Sequence, residues 1–585
     1  MGGMDLLEIG MIGIVAVVVV NVIAPRIKIA SPLLLVLLGI GISFLPFVAP
    51  VEIEPEWILG GVLPPLLYSA AVNMPTMDFR RDLRTISAFS VLLVIGSAVV
   101  IGYVMSRLIP GIDLATGIAL GAILSPTDAV ATSIVKRAGV SSRLVTVLEG
   151  ESLLNDASAL VLLRSATAAT VLLSAREVAA DFAWAVLVAV VVGFVIGKLN
   201  LVIRSRVTHP TSNVAISLVV PFFAYLPAER LDASGLVAAV VAGLVTGHGS
   251  PKYLRPQDRL TTEAVWRTLE MLLESAIFLL MGLELYGLVV EVREEHNSIR
   301  AALLLGLLGA ALVVVIRAAF VAPSLWLLAR RGRRDPATRE RIATIRDQLE
   351  SGELQQPTRG RPRLDPAEYA ERARGRSARL STHLTRRLAD LDYLAAQAFG
   401  WREGIVLVWA GMRGAVTLAA AQSLPADTPQ RALLILIAFV VAAGTLVVQG
   451  GTLGWLVRVL GLTGKDPAAH RNQLFELRRE LGDLLTARLD QGVSRPDGTP
   501  FSPLAVDWAR RLIVALMTAD DQRGVDGEDL RTERGQLRLA LIELQREELL
   551  RIRDLGTYPS SVLEDTLTQL DADQLSLELR TGSSS

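Results

Sequence analysis

The chain contains no cysteine. Disulfides, thiolate chemistry and cysteine-ligated metals are therefore excluded. Histidine is nearly as scarce: five residues, dispersed along 585, make a zinc site a poor expectation. Formal net charge is zero, so no excess of one sign points to nucleic acid as a partner. The opening MGGMDLLEIG has no basic start of the kind a cleaved signal peptide carries, and the first apolar run reads as a retained span. Neither an enzymatic activity nor a cofactor is expected.

What the chain has instead is apolar sequence. Hydrophobic residues make up 51% and are gathered into uncharged runs, among them 12–23, 31–50, 86–104, 182–196, 301–316 and 433–448. With their flanks these approach the ~20 residues that a helix needs to cross ~30 Å of hydrocarbon. Helices satisfy every backbone donor and acceptor internally, as lipid demands. An all-α polytopic membrane protein is expected, with about 13 spans by this length criterion. They fall near 7–24, 31–49, 56–75, 86–108, 114–137, 146–170, 179–203, 212–227, 231–248, 266–290, 300–329, 402–424 and 430–460.

Charge in the connections alternates. One set of loops carries Arg26 and Lys28; Arg80, Arg81 and Arg84; Lys136, Arg137 and Arg143; Arg204 and Arg206; Lys252, Arg255 and Arg259. The other set is poor in cations, and one of its loops carries Glu52, Glu54 and Glu56. The positive-inside rule puts the basic set in the cytoplasm, the N-terminus outside and the C-terminal tail inside. Two regions are polar. Residues 330–398 form a basic insert, either a solvated loop or a surface for anionic lipid. Residues 465–585 show helical periodicity and read as a cytosolic helical tail following a transmembrane domain of 1–464.

Ionisable residues inside spans are costly and are functional candidates by default. In LSPTDAVATS (124–133), Pro126 removes a backbone donor and disfavours helix at Ser125. The fifth span should break there and restart near Asp128, whose carboxylate would neutralise the positive helix end. The alternative is a kink with Asp128 as a cap. In LEGESLLNDASALVLL (148–163), Glu151 and Asn155 are i,i+4 neighbours, as are Ser152 and Asp156. The second pair shares a stripe that can face the fifth span. Arg317, inside AALVVVIRAAFVAP, needs a carboxylate, and Glu151 is the candidate; snorkelling is the alternative. In WAGMRGAVTLAAA (409–421), Gly411 and Gly414 flank Arg413 and loosen the twelfth span. Arg413 would counter negative helix ends as Asp128 counters positive ones. Interrupted spans in corresponding halves point to an inverted-repeat transporter with a midplane site. Arg164, toward the end of the sixth span, is expected to snorkel.

SPTDAV, GESLLND, GMRGAVTLA and TLVVQG, with the weaker AERLDASGLVAAVVAGLVTG and ESAIFLLMGLEL, stand in the order of the monovalent cation:proton antiporter-1 family, which the chain resembles. The resemblance implies a homodimer in the cell membrane. Each protomer would have two crossed broken helices (spans 5 and 12) and work by elevator-like alternating access. It implies that Asp156 is the ion-binding carboxylate with Asn155 beside it. Asp128, the Thr127 carbonyl and the Ser152 hydroxyl would be further contacts to a sodium ion, and Glu151 with Arg317 a structural pair. One departure is Ser69, in LPPLLYSAAVN, where the family often has glutamate. A second is the length of the basic insert.

A low-dielectric site does not tolerate a bare charge, so Asp156 must be matched by a proton or by a cation held among hard oxygens. Competition of the two for one site gives obligatory exchange. Asp128, Asp156 and Glu151 against Arg317 and Arg413 leave one negative charge, which predicts one-for-one, electroneutral exchange. Sodium is favoured as the cation, with potassium the alternative. A channel and a cation- or pH-sensing protein with the tail as output are rival classes.

Overall fold

The computed structural model describes residues 6–27, 29–46, 54–168, 175–294, 298–332, 335–350, 366–463, 467–495, 498–518 and 528–581. Of the residues singled out above, Lys28, Glu52 and parts of the basic insert (333–334 and 351–365) lie outside them. The described residues are helical apart from turns and one isolated bridge, Ser494 to Pro500.

Two compact units divide the chain: Met1–Trp326 with Phe399–Gly464, and Leu327–Ala398 with Lys465–Ser585. The basic insert, read above as part of the first domain, thus groups with the C-terminal segment.

The first unit begins with α1 (Leu6–Ile27), α2 (Ser31–Ser43), α3 (Trp57–Val72) and α4 (Thr76–Leu108). An interrupted pair follows, α5 (Leu114–Ile123) and α6 (Val130–Arg137), then α7 (Ser142–Ala168) and α8 (Ala175–Arg204). Next come α9 (Pro210–Arg230), α10 (Gly235–Tyr253), α11 (Pro256–Glu294) and α12 (Ile299–Gly332). In the second unit, α13 (Asp335–Glu350) and α14 (Pro366–Ala396) precede the return to the first. There a second interrupted pair, α15 (Trp401–Trp409) and α16 (Ala415–Gln422), leads to α17 (Arg431–Val459).

Among the described residues, six helices are long and apolar enough by themselves to cross a bilayer: α4, α8 from Ala180, α9, α11, α12 to Leu328, and α17. With the shorter apolar helices around them they make a multi-pass membrane protein. α7 is long but carries Glu149, Glu151, Asp156 and Arg164, and α5 is cut short by the break after it. Position in the bundle follows from burial. The apolar stretch of α12 is 22% buried and that of α17 78%, so α17 is central and α12 peripheral. Leu303, Leu304 and Leu307 of α12, with Leu187, Val191 and Phe194 of α8, point outward as lipid-facing side chains do.

Association inside lipid relies on close packing of small residues, since apolar surface gains nothing by leaving apolar solvent. At the α2–α11 contact, a Cβ on Gly39 would lie 2.9 Å from the Gly282 Cα, and one on Gly282 2.8 Å from the Gly39 Cα. At the α4–α5 contact, a Cβ on Gly102 would lie 2.6 Å from the Ile118 nitrogen. The second contact braces the first interrupted pair against α4.

The second unit closes with α18 (Pro467–Gln491), α19 (Pro503–Thr518), α20 (Glu528–Leu555) and α21 (Ser560–Thr581). Leu485, Leu489, Phe501, Ala505, Ala509, Ile513, Leu537 and Leu541 form its core. Glu533 accepts the Ser502 amide (2.8 Å) and hydroxyl (2.7 Å) and the Arg495 guanidinium, which closes the α18–α19 connection on α20. These hydrogen bonds hold the Glu533 carboxyl below its ordinary range. α14 packs on α20 within the same unit.

Gly282→Leu forces side-chain atoms into the α2 backbone and should destabilise the protein by about 1–3 kcal/mol. A lowered melting temperature in detergent, against an unchanged one for Gly41→Leu, where nothing stands within 4 Å of the added Cβ, checks this.

Candidate functional site

The site grows from the two interruptions. α5 starts at Asp113, whose side chain caps the Thr116 amide at 2.8 Å, and stops at Ile123. Pro126 cannot donate, so 124–129 stays irregular until α6 begins at Val130. α15 stops at Trp409, and Gly414, in extended backbone, leads into α16. The two irregular segments meet: the Asp128 amide donates to the Met412 carbonyl at 2.9 Å.

Four helix ends converge here, and two side chains answer them. The Arg413 guanidinium donates to the Leu124 carbonyl (2.7 Å), to Ser125 O (3.3 Å) and to Gly411 O, carbonyls that follow α5 and α15. Its charge thus sits at two negative helix ends. Asp128 does the reverse. Its Oδ1 accepts the Val130 amide at 2.8 Å, at the start of α6, and a Cβ on Gly414, at the start of α16, would land on its Oδ2. Glycine at 414 is therefore a condition of Asp128 standing between the two positive ends.

α7 lies against this meeting point. Ser152 donates to the Thr127 carbonyl at 2.8 Å. Asn155 Nδ2 donates to Ser125 O and to Thr127 Oγ1, both at 3.2 Å. Asp156 is 5% exposed, and its Oδ1 has no hydrogen-bond partner; neither has Asn155 Oδ1. Charge on Asp128 repels charge on Asp156. The arrangement is a buried set of oxygen atoms short of donors, which is chemistry for a proton or a hard cation.

Arg317 meets Glu151 through both guanidinium nitrogens, Nη2 to Oε2 at 2.8 Å, and its Nε donates to Leu407 O at 2.7 Å. Both residues are buried. Gly411 leaves the room: a Cβ there would lie 2.6 Å from Arg317 Cδ. Ser97, Ser125, Asn155, Arg317 and Arg413 line a small cavity beside the meeting point. Arg164, largely exposed, is ion-paired with Glu229 at 2.8 Å.

Two carboxylates were overlooked. Glu270 accepts the Ser69 hydroxyl at 3.3 Å, so a carboxylate from α11 stands beside the serine noted above. Glu274, one turn on, faces Asp128 and Glu270 as like charges and Arg137 as an opposite one. Both lie in or next to the apolar stretch 266–290, and the rule that flagged Asp156 applies to them equally.

A profile of the family described as "Sodium/hydrogen exchanger, transmembrane" matches residues 13–360 and 380–459. An uncharacterized Na+/H+ exchanger of Mycobacterium tuberculosis is 29% identical over 600 residues, covering 98% of this chain and 97% of its own. The low-affinity Na+/H+ antiporter NhaS1 of Synechocystis is 30% identical, over 78% of this chain and 75% of its own. Among solved structures, the sodium proton antiporter MjNhaP1 of Methanocaldococcus jannaschii superposes with a TM-score of 0.53 at 16% identity, over 78% of this chain and 99% of its own. That likeness is one of fold.

The Glu151–Arg317 contact generates a stability test. Glu151→Leu or Arg317→Met alone strands a buried charge and should cost about 3–5 kcal/mol, while the double substitution recovers most of it. Melting of the purified protein measures the cycle; additive losses would mean that the two charges do not depend on each other.

Proposed function

The chain belongs to the sodium/hydrogen exchanger family, whose members are transporters rather than enzymes, and from that premise we propose that it exchanges one sodium ion for one proton at Asp156. The observation that carries this reading is Asp156 Oδ1: a buried carboxylate oxygen with no donor, beside the meeting point of two broken helices.

In the cation-loaded state, Asp156, Asp128, the Thr127 carbonyl and the Ser152 hydroxyl supply oxygen to a partly dehydrated ion. Thr127 O and Ser152 Oγ are already within 2.8 Å of each other, so ion entry exchanges one contact for another. In the proton-loaded state Asp156 is neutral. Asn155 holds Ser125 and Thr127 in place and adds no exchangeable charge. The crossed broken helices, moving with α7, carry the loaded site from one side to the other. A homodimer in the cell membrane supplies the fixed frame, with the C-terminal tail in the cytoplasm.

Charge counting supports electroneutral exchange. Within the site, Asp128, Asp156 and Glu151 against Arg317 and Arg413 leave one negative charge. Potassium is the second reading. A Bacillus subtilis relative, 30% identical over 46% of this chain, is named a sodium, potassium, lithium and rubidium/H+ antiporter. Glu270 beside Ser69 gives the approach a carboxylate of its own placement, and such differences tune selectivity.

In everted vesicles, a sodium pulse should release protons from the wild type, with potassium and lithium pulses ranking selectivity. Asp156→Asn should reduce the response to background while the protein still purifies as a folded dimer. An imposed membrane potential should leave the rate unchanged; a rate that follows the potential contradicts one-for-one exchange.

A further inference from the structure

A second unpartnered carboxylate lies away from the crossing. Near Glu284, α11 loses its regular helix for a single turn residue, within the apolar LLMGLELYGLVV. Glu284 is 3% exposed, and its Oε1 has no hydrogen-bond partner. Its side chain hydrogen-bonds Gln422, the last residue of α16, and Gln422 Oε1 is likewise unpartnered.

The surroundings supply no compensation. α11 runs on through Glu284, whose amide donates to Leu280 O and whose carbonyl accepts from the Leu288 amide (both 3.1 Å), while Gln422 terminates α16, so one negative helix end adjoins the carboxylate. The basic residue of this region, Arg431, is committed elsewhere. Its Nη2 donates to Gln422 O (2.8 Å), its Nε to Leu424 O (3.1 Å), and its Nη1 stands 3.8 Å from Glu291. What is left is a carboxylate oxygen and an amide oxygen, both buried and without donors, beside the end of α16. Hard oxygens in that setting recognise a small monovalent cation.

We propose that Glu284 and Gln422 form a second cation-binding site, a station for the transported ion at the end of the bundle that carries 423–430. This rests on the antiport reading above. The site is attached to the second broken helix: α16 runs from Gly414, beside Asp128, to Gln422. An ion held at Gln422 is therefore one helix length from the crossing, on the side to which that helix leads.

The test titrates sodium separately from each face, using right-side-out and everted vesicles from cells lacking their own exchangers, with potassium as a second probe. Glu284→Gln should raise the half-saturating sodium concentration about tenfold from the face carrying 423–430, the loss expected for a charge-assisted contact. The opposite face should stay within about twofold on the same scale. Gln422→Met should shift it in the same direction, and Glu284→Asp should stay near wild type. A second readout needs no transport. In an Asp156→Asn background, sodium should still protect the purified protein against thermal unfolding, and adding Glu284→Gln should remove that protection. No shift at either face, equal shifts at both, or a change confined to the proton dependence would overturn the proposal. A wild type that moves no protons on a cation pulse would sink the antiport reading itself, whereas an active wild type with silent Glu284 variants sinks only this site.

Discussion

Backbone polarity in a nonpolar solvent is the constraint on which the rest depends. Breaking two helices inside an apolar bundle exposes amides and carbonyls that lipid cannot satisfy. The chain resolves this by making the breaks satisfy each other: the Asp128 amide bonds the Met412 carbonyl, Arg413 gathers the carbonyls of Leu124, Ser125 and Gly411, and Asp128 takes the amide of Val130. Once the two breaks have satisfied each other, a charge placed beside them stands out. Asp156 is that charge. It stays short of a donor because its neighbours, Ser152 and Asn155, have spent their own donors there.

Stability and function are thereby separated on one helix. Glu151 and Asp156 sit five residues apart on α7, both buried. One is matched by a bidentate arginine and anchors α12 to α7; the other is left unmatched. A buried carboxylate with a full set of partners is structure, and one lacking a donor is a place for an exchangeable charge. Glycines at 411 and 414 make the distinction sterically possible, because side chains there would occupy the space of Arg317 and Asp128.

Much of this was legible from residues alone. Proline at 126 marks a break whatever surrounds it, and an arginine in AALVVVIRAAFVAP requires a partner, which the structure places at Glu151. Other features were hidden for physical reasons. The donor shortage at Asp156 and Glu284 depends on which neighbours have already been used, and that is a property of packing. Glu270 was invisible as a neighbour of Ser69 because the two are about 200 residues apart in sequence, on helices whose facing sides composition does not reveal. The partner of Arg164 was hidden for the same reason: Glu229 comes from another helix end. The basic insert gave periodicity but no address, and its grouping with the C-terminal segment emerges only from tertiary contacts.

The central claim is that one side chain, Asp156, holds either a proton or a cation and never both. Counting protons released on cation binding tests it most directly, by calorimetry of the purified protein in buffers of differing ionisation enthalpy. The account predicts that, at a pH where the site is protonated, each sodium bound at Asp156 displaces close to one proton, and that Asp156→Asn abolishes this coupled release. A wild type that releases no proton on binding sodium, or coupled release that survives the substitution, would contradict it.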